Sequence, residues 1–242
     1  MKIIRCKNYE EASKVAGEII SASIKTKPDI VLGLATGSSP IGTYKNLIKD
    51  YENNNISFKD VKTYNLDEYV GLDRSNPQSY YYFMNENLFD HIDINKENVH
   101  IPYALPSALE ESCEKYSEAL EKVVVDIQLL GIGANGHIGF NEPKTPFEQK
   151  TFIVNLTEKT REDNKRFFKS IDEVPTKAIT MGIAEIMKAK KIILIATGKG
   201  KAEAVKRLLS KEVTTDFPAS ALHLHQDVVV ITDEEAMSLV NC

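Results

Sequence analysis

The strongest chemical signal in the chain surrounds His137, in Gly131-Ile132-Gly133-Ala134-Asn135-Gly136-His137-Ile138-Gly139-Phe140-Asn141-Glu142-Pro143. An imidazole is the side chain best matched to proton transfer near neutral pH. Glu142 is close enough in sequence to orient that ring by a hydrogen bond. The glycines leave room for a compact polar ligand. A lone histidine is more often structural, but a histidine set among Gly, Asn and Glu in one loop after an apolar run points to function. Asp67 and Glu68 are a second signal, in Asn65-Leu66-Asp67-Glu68-Tyr69-Val70-Gly71-Leu72. Neighbouring side chains of extended backbone point opposite ways, so one carboxylate can face a pocket while the other anchors structure. A pocket carboxylate shielded from water has a raised pKa and suits a general base. For an Asp-Glu pair alone, a solvated acidic turn is the stronger reading.

A third segment, Gly33-Leu34-Ala35-Thr36-Gly37-Ser38-Ser39-Pro40, runs from an apolar stretch into a helix expected near Ile41. Its small residues let backbone approach a ligand. Hydroxyls and the free N–H groups of the next helix then favour an anion such as phosphate. A capped strand-to-helix turn is the plainer alternative. No Gly-Lys-Ser/Thr follows, so it is not a Walker loop. Cations are available in Thr197-Gly198-Lys199-Gly200-Lys201 and at Arg161, Lys165 and Arg166. Arg forks onto phosphate oxygens and Lys supplies a point charge. Taken singly, each reads as a surface charge, least so the lysines of the Gly-rich stretch.

Two patterns imitate other chemistry. Gly131, Gly133 and Gly136 match G-x-G-x-x-G, the dinucleotide fingerprint, which requires a helix after the third glycine. Pro143 and Pro146 oppose such a helix, so the nicotinamide reading ranks low. His223 and His225 would share a face on a strand as a metal pair does. No third ligand is evident, and they read as structural or pocket-lining.

Apolar runs at 31–34, 61–66, 123–132, 191–196 and 227–231 read as buried strands. Helical spacing marks 9–25, 44–51, 107–122, 158–168 and 201–210. This alternation predicts an α/β fold with a mainly parallel sheet and helices on both faces. Chemistry is then expected in the loops beyond the strands' carboxyl ends. No linker or repeat divides residues 1–242, which read as a single domain. The proline- and charge-rich stretch 140–168 interrupts the alternation as a lid or insertion.

Composition narrows the functional classes. With 42% hydrophobic and 27% charged residues, the chain is ordinary globular protein. Its net charge of −5 argues against a dedicated nucleic-acid binder, though not against a local basic pocket. Cys6, Cys113 and Cys242 suit neither a disulfide framework nor a metal cluster, which points to a reducing cytosol. The amino terminus lacks the pattern of a signal peptide, and no apolar run spans a membrane. A cytoplasmic location is expected.

Together these segments resemble the glucosamine-6-phosphate deaminase family. The stretches 33–44, 65–72, Ser79-Tyr80-Tyr81-Tyr82-Phe83-Met84 and 131–143 recur there in this order. The basic strand end and the closing 230–235 segment are also similar, so the resemblance covers nearly the whole chain. It implies a Rossmann-like, ribose-5-phosphate isomerase-like fold with a lid. It implies conversion of glucosamine 6-phosphate and water to fructose 6-phosphate and ammonia, with no metal or redox cofactor. By the same resemblance Asp67 moves the proton between C2 and C1, His137 opens the ring and Glu142 supports His137. Asn135 stands in this catalytic group where some members carry Asp, and Asn cannot take a proton. Thr36, Gly37, Ser38, Ser39, Arg166 and Lys201 resemble the phosphate cradle.

The chain lacks the carboxy-terminal extension of the allosteric hexameric members. Phe152 and Val154 occupy positions matching their effector-binding basic residues. A monomer or small homo-oligomer without activation by N-acetylglucosamine 6-phosphate is therefore expected. Two rivals follow. A 6-phosphogluconolactonase has a similar phosphate loop and Gly-His loop but typically a Thr/Ala-Ser stretch after the His, where this chain has Ile138-Gly139-Phe140-Asn141-Glu142-Pro143. A sugar-phosphate-sensing regulator would bind without turnover, against which Asp67, His137 and Glu142 weigh.

Overall fold

In the computed structural model, residues 1–156, 158, 161–162, 165, 168 and 170–240 are described. The elements follow in chain order as β1 (Lys2–Cys6), α1 (Tyr9–Thr26), β2 (Val31–Leu34), α2 (Ile41–Glu52), β3 (Lys62–Asn65), β4 (Asp67–Tyr69) and α3 (Tyr80–Asn87). Then come β5 (Val99–His100), α4 (Leu109–Glu121), β6 (Ile127–Gly131), β7 (Phe152–Asn155), β8 (Lys177–Thr180) and the short α5 (Ile183–Ile186). β9 (Lys191–Ala196), α6 (Ala202–Leu209) and β10 (Val228–Asp233) close the fold.

Apolar runs rich in β-branched residues, such as Ile192-Ile193-Leu194-Ile195, make strands buried on both faces, as a parallel sheet requires. Seven described strands pair in the order β1-β10-β9-β6-β2-β3-β5, all parallel. Side chains alternate across this sheet. Ile193, Ile195, Val229 and Ile231 pack with Ala12, Ala16 and Ile20 of α1 and Leu47 of α2. Ile192, Leu194, Val228 and Val230 pack on the opposite face with Tyr116 and Leu120 of α4 and Val205 and Leu208 of α6. Fully burying one of these Val, Leu or Ile side chains contributes roughly 1.5–3 kcal/mol.

The chain runs outward from β2 through β3 to β5, then resumes on the other side of β2 with β6, β9 and β10. The order reverses between β2 and β6, which opens a crevice at their carboxyl ends. The glycine–histidine loop leaves β6 there, and the loop after β2 faces it.

Three short strands form a second, antiparallel sheet in the order β4-β8-β7. The apolar runs did not show it, because charged or polar residues interrupt or end all three strands, as in Asp67-Glu68-Tyr69 and Lys177-Ala178-Ile179-Thr180. Asp67, expected in a loop past a strand, instead opens β4 and pairs with Thr180 of β8. Within 140–168, residues 152–155 are β7, so part of that stretch is stitched to the strand bearing Asp67. The helix expected at 158–168 falls largely outside the described residues. Phe140, Tyr69, Val154, Leu156 and Ala178 form a small core between this sheet and the glycine–histidine loop.

Candidate active site

Four loops at the carboxyl ends of the adjacent strands β9, β6, β2 and β3 enclose a cavity of about 250 Å3. Its lining includes Thr36, Gly37, Ser38, Ser39, Asp67, His137 and Lys201. Seven of the ten residues singled out from sequence therefore share one cavity. Asn135 and Glu142 stand behind it. Arg166 lies outside the described residues.

Asp67 is only 5% exposed. Burial, with the neighbouring Glu68 carboxylate second, pushes its pKa up to about 8. Glu68 points the other way, as extended backbone demands. Its Oε1 accepts from the backbone N–H of Tyr69 (2.8 Å) and Tyr80 (2.9 Å), and its Oε2 from that of Tyr81 (2.9 Å). Burial raises its pKa as well, opposed by these three amides and Arg74. Glu68 thereby holds the first turn of α3, which carries Tyr80 into the cavity wall. The Tyr80 ring stacks on Phe140 at 6.1 Å and tilts against Tyr69 at 4.9 Å.

The His137 loop is tight because its glycines are required. A Cβ on Gly133 would lie 2.3 Å from the His137 ring. Gly136 turns at φ +88°, and a Cβ there would lie 2.1 Å from Phe217. No helix follows Gly136 before β7, so the dinucleotide fingerprint is an accident of these two needs. Asn141 Nδ2 donates to the carbonyls of Ile138 and Met181, each at 2.9 Å, and Phe140 N donates to Thr180 Oγ1 at 3.1 Å. These bonds fasten the histidine loop to the sheet that bears Asp67.

His137 Nδ1 and Glu142 Oε1 are 3.8 Å apart, an ion-pair separation longer than a hydrogen bond. Asn135 joins the two residues. Its Oδ1 accepts from the His137 N–H at 3.2 Å, and its Nδ2 donates to Glu142 Oε2 at 2.8 Å.

The loop after β2 reverses at Gly37, whose φ is +84°. Lys201 is brought in by Asp233 at the end of β10. That carboxylate accepts from Gly198 N on both oxygens (3.0 and 2.9 Å) and from Ala236 N (2.8 Å), and so braces the turn Lys199–Lys201.

His223 and His225 are structural. Their Nε2 atoms lie 2.7 Å from the carbonyls of Leu208 and Ala189. No metal-holding cluster of His, Cys, Asp and Glu occurs among the described residues. Sequence reasoning missed Leu66, Phe140 and Gly139 as lining. It also gave Tyr80 no role, although the run Tyr80-Tyr81-Tyr82-Phe83 was visible.

The cavity brings together a polar loop, one lysine, a buried carboxylate whose pKa is raised and an imidazole. That suits proton transfers on a small phosphorylated molecule. A model of the family described as glucosamine-6-phosphate isomerases/6-phosphogluconolactonase matches residues 7–231. A glucosamine-6-phosphate deaminase of Thermoanaerobacter sp. (strain X514) is 58% identical over 241 residues, 99% of this chain and 95% of the relative. One from Clostridium botulinum (strain Langeland) is 54% identical, covering 98% of each chain. The solved structure of a monomeric glucosamine-6-phosphate deaminase matches with a TM-score of 0.97 at 51% identity, over 99% of this chain and 100% of that one.

Proposed function

The chain belongs to the glucosamine-6-phosphate isomerase/6-phosphogluconolactonase family, and from that premise we propose that it is a glucosamine-6-phosphate deaminase. The reaction takes glucosamine 6-phosphate and water to fructose 6-phosphate and ammonia. The observation that carries the reading is the common cavity of Asp67, His137, Thr36–Ser39 and Lys201, in a chain 58% identical to a protein named for that activity.

The phosphate sits against Thr36, Gly37, Ser38, Ser39 and Lys201, with Arg166 added from the family pattern. Remote from the reacting carbons, it holds the sugar in place. His137 takes the proton of the anomeric hydroxyl and delivers one to the ring oxygen, which opens the ring to an aldehyde at C1. Asn135 and Glu142 keep the imidazole oriented. Asp67 takes the proton from C2 and returns it at C1, while a proton passes from the amine nitrogen to O1, leaving a C=N bond at C2. Water adds to that carbon and ammonia departs. A carboxylate with an elevated pKa is the stronger base for a carbon-bound proton.

The whole chain acts as one domain, and 140–168 serves as its lid, a reading supported by Phe140 in the cavity wall. A monomer or small homo-oligomer is favoured by the similarity to a monomeric deaminase. No helix among the described residues is long and apolar enough to cross a membrane, which accords with work in the cytoplasm.

The test is to incubate the purified protein with glucosamine 6-phosphate, chelator present and nicotinamide absent. Fructose 6-phosphate and ammonia are expected in equal amounts. Loss of 6-phosphogluconolactone with no ammonia from the amino sugar would favour the family's other activity. Tight binding without turnover would favour a sensor.

A further inference from the structure

We propose that Tyr9 and Tyr44 are positioning residues for the anion cradle, each hydroxyl pinning a loop carbonyl so that the amides of Thr36 and Ser39 face the cavity. The inference rests on the reading of Thr36–Ser39 as the phosphate site and adds how that loop is held in shape.

A trans peptide is planar, with its C=O and N–H on opposite sides, so fixing one directs the other. Tyr44 of α2 is fully buried, and its hydroxyl donates to the carbonyl of Ala35. The N–H of that same peptide belongs to Thr36. Tyr9, the first residue of α1, donates to the carbonyl of Ser38 at 3.1 Å. The N–H of that peptide belongs to Ser39. Thr36 and Ser39 both line the cavity, and neither amide donates to another group among the described residues.

The Tyr9 oxygen also accepts from Gly42 N at 2.7 Å. One phenol thus ties the loop to the first turn of α2, a helix whose start has no side-chain cap of its own. Gly37, at φ +84°, lies between the two pinned peptides and lets the chain reverse between them. Close packing leaves little slack in this bracket, since a Cβ on Gly42 would lie 2.2 Å from Ser13 Oγ and 3.0 Å from the Tyr9 oxygen.

The test compares wild type with Tyr9→Phe, using inorganic phosphate as probe. Tyr9 is only partly buried, so its variant reports on the loop. Tyr44→Phe serves as a second variant, scored with its melting temperature. In wild type, phosphate should inhibit competitively and shift the backbone amide resonances of Thr36 and Ser39. In Tyr9→Phe, the KM for glucosamine 6-phosphate and the phosphate inhibition constant should rise together, by about tenfold, with a smaller change in kcat. The Ser39 amide shift should shrink. A purely structural tyrosine would lower the melting temperature and leave both constants unchanged, which overturns the proposal. Wild type that phosphate neither inhibits nor shifts would overturn the cradle reading itself. Wild type and variant inhibited equally would overturn the tyrosine inference alone.

Discussion

Asp67 is the base of the proposed reaction, and its setting makes two separable predictions. Replacing it with Asn keeps the shape and removes the base. Turnover of glucosamine 6-phosphate should fall by about 10²–10⁴-fold, the usual worth of a positioned proton-transfer group, while the substrate still binds. Coupled assay of fructose 6-phosphate with equilibrium binding checks both halves, and near-normal turnover would remove Asp67 from its role. The second prediction concerns pH. An aspartate in an unfolded chain titrates near 3.9, whereas here burial and Glu68 push the pKa up to about 8. Between those values the unfolded chain gives up its proton first. A stability contribution present below about pH 4 is therefore lost progressively as pH rises to about 8, at roughly 1.4 kcal/mol per unit. Asp67→Asn should thus be more stable than wild type, by a margin that grows from pH 5 to pH 8 in urea titrations. In the free enzyme kcat/KM should climb with pH on its acid side, with a midpoint about pH 8, because the base works deprotonated. A profile flat from pH 6 to 9 would contradict that ionisation.

The glycine–histidine loop shows how one short element serves both chemistry and fold. Gly133 is needed because the imidazole lies where a Cβ would go, 2.3 Å from ring atoms. Gly133→Ala should push His137 off its position and cut kcat more than tenfold, with little change in melting temperature. Equal kcat in the variant would show that the ring has room to spare. Gly136 is needed for the backbone, at φ +88° and against Phe217. Gly136→Ala should lose about 1–2 kcal/mol from the left-handed conformation and roughly 1–3 kcal/mol more from overpacking, read as a shift of the urea midpoint. Glu68 makes a parallel case on β4. Two of its three backbone hydrogen bonds go to the first turn of α3 and hold Tyr80 in the cavity wall, so the anchoring half of the Asp-Glu pair also shapes the cavity.

At the scale of the whole molecule, the parallel sheet brings four loops to one cavity beside the point where the strand order reverses, between β2 and β6. The small antiparallel sheet then ties the stretch after the histidine loop back to Asp67. Phe152 and Val154 lie on β7 of that sheet, where Val154 is buried and Phe152 packs against it in the Tyr69–Phe140 core. Apolar side chains so placed cannot pair with an effector phosphate. Saturation with glucosamine 6-phosphate should be hyperbolic, and adding N-acetylglucosamine 6-phosphate should leave the curve unchanged. A sigmoidal curve that becomes hyperbolic with that compound would show an effector site elsewhere.

The sequence by itself determined the α/β class, since long β-branched runs alternating with amphipathic helices bury apolar surface in few other ways. It also marked the three loops rich in Gly, Ser, Asp and His as candidates, although each composition alone suits an ordinary turn and only their combination pointed to a site. Tertiary structure decided the rest. Only folding brings Lys201 across from β9, braced by Asp233 more than thirty residues away. Only folding sets Asn135 between His137 and Glu142 and reveals β4, β7 and β8 as a sheet. The physical reason is the same in each case. Strand periodicity is a local signal that needs several residues to register, whereas desolvation and hydrogen bonding at a site depend on groups distant in the chain that meet only when the sheet has formed.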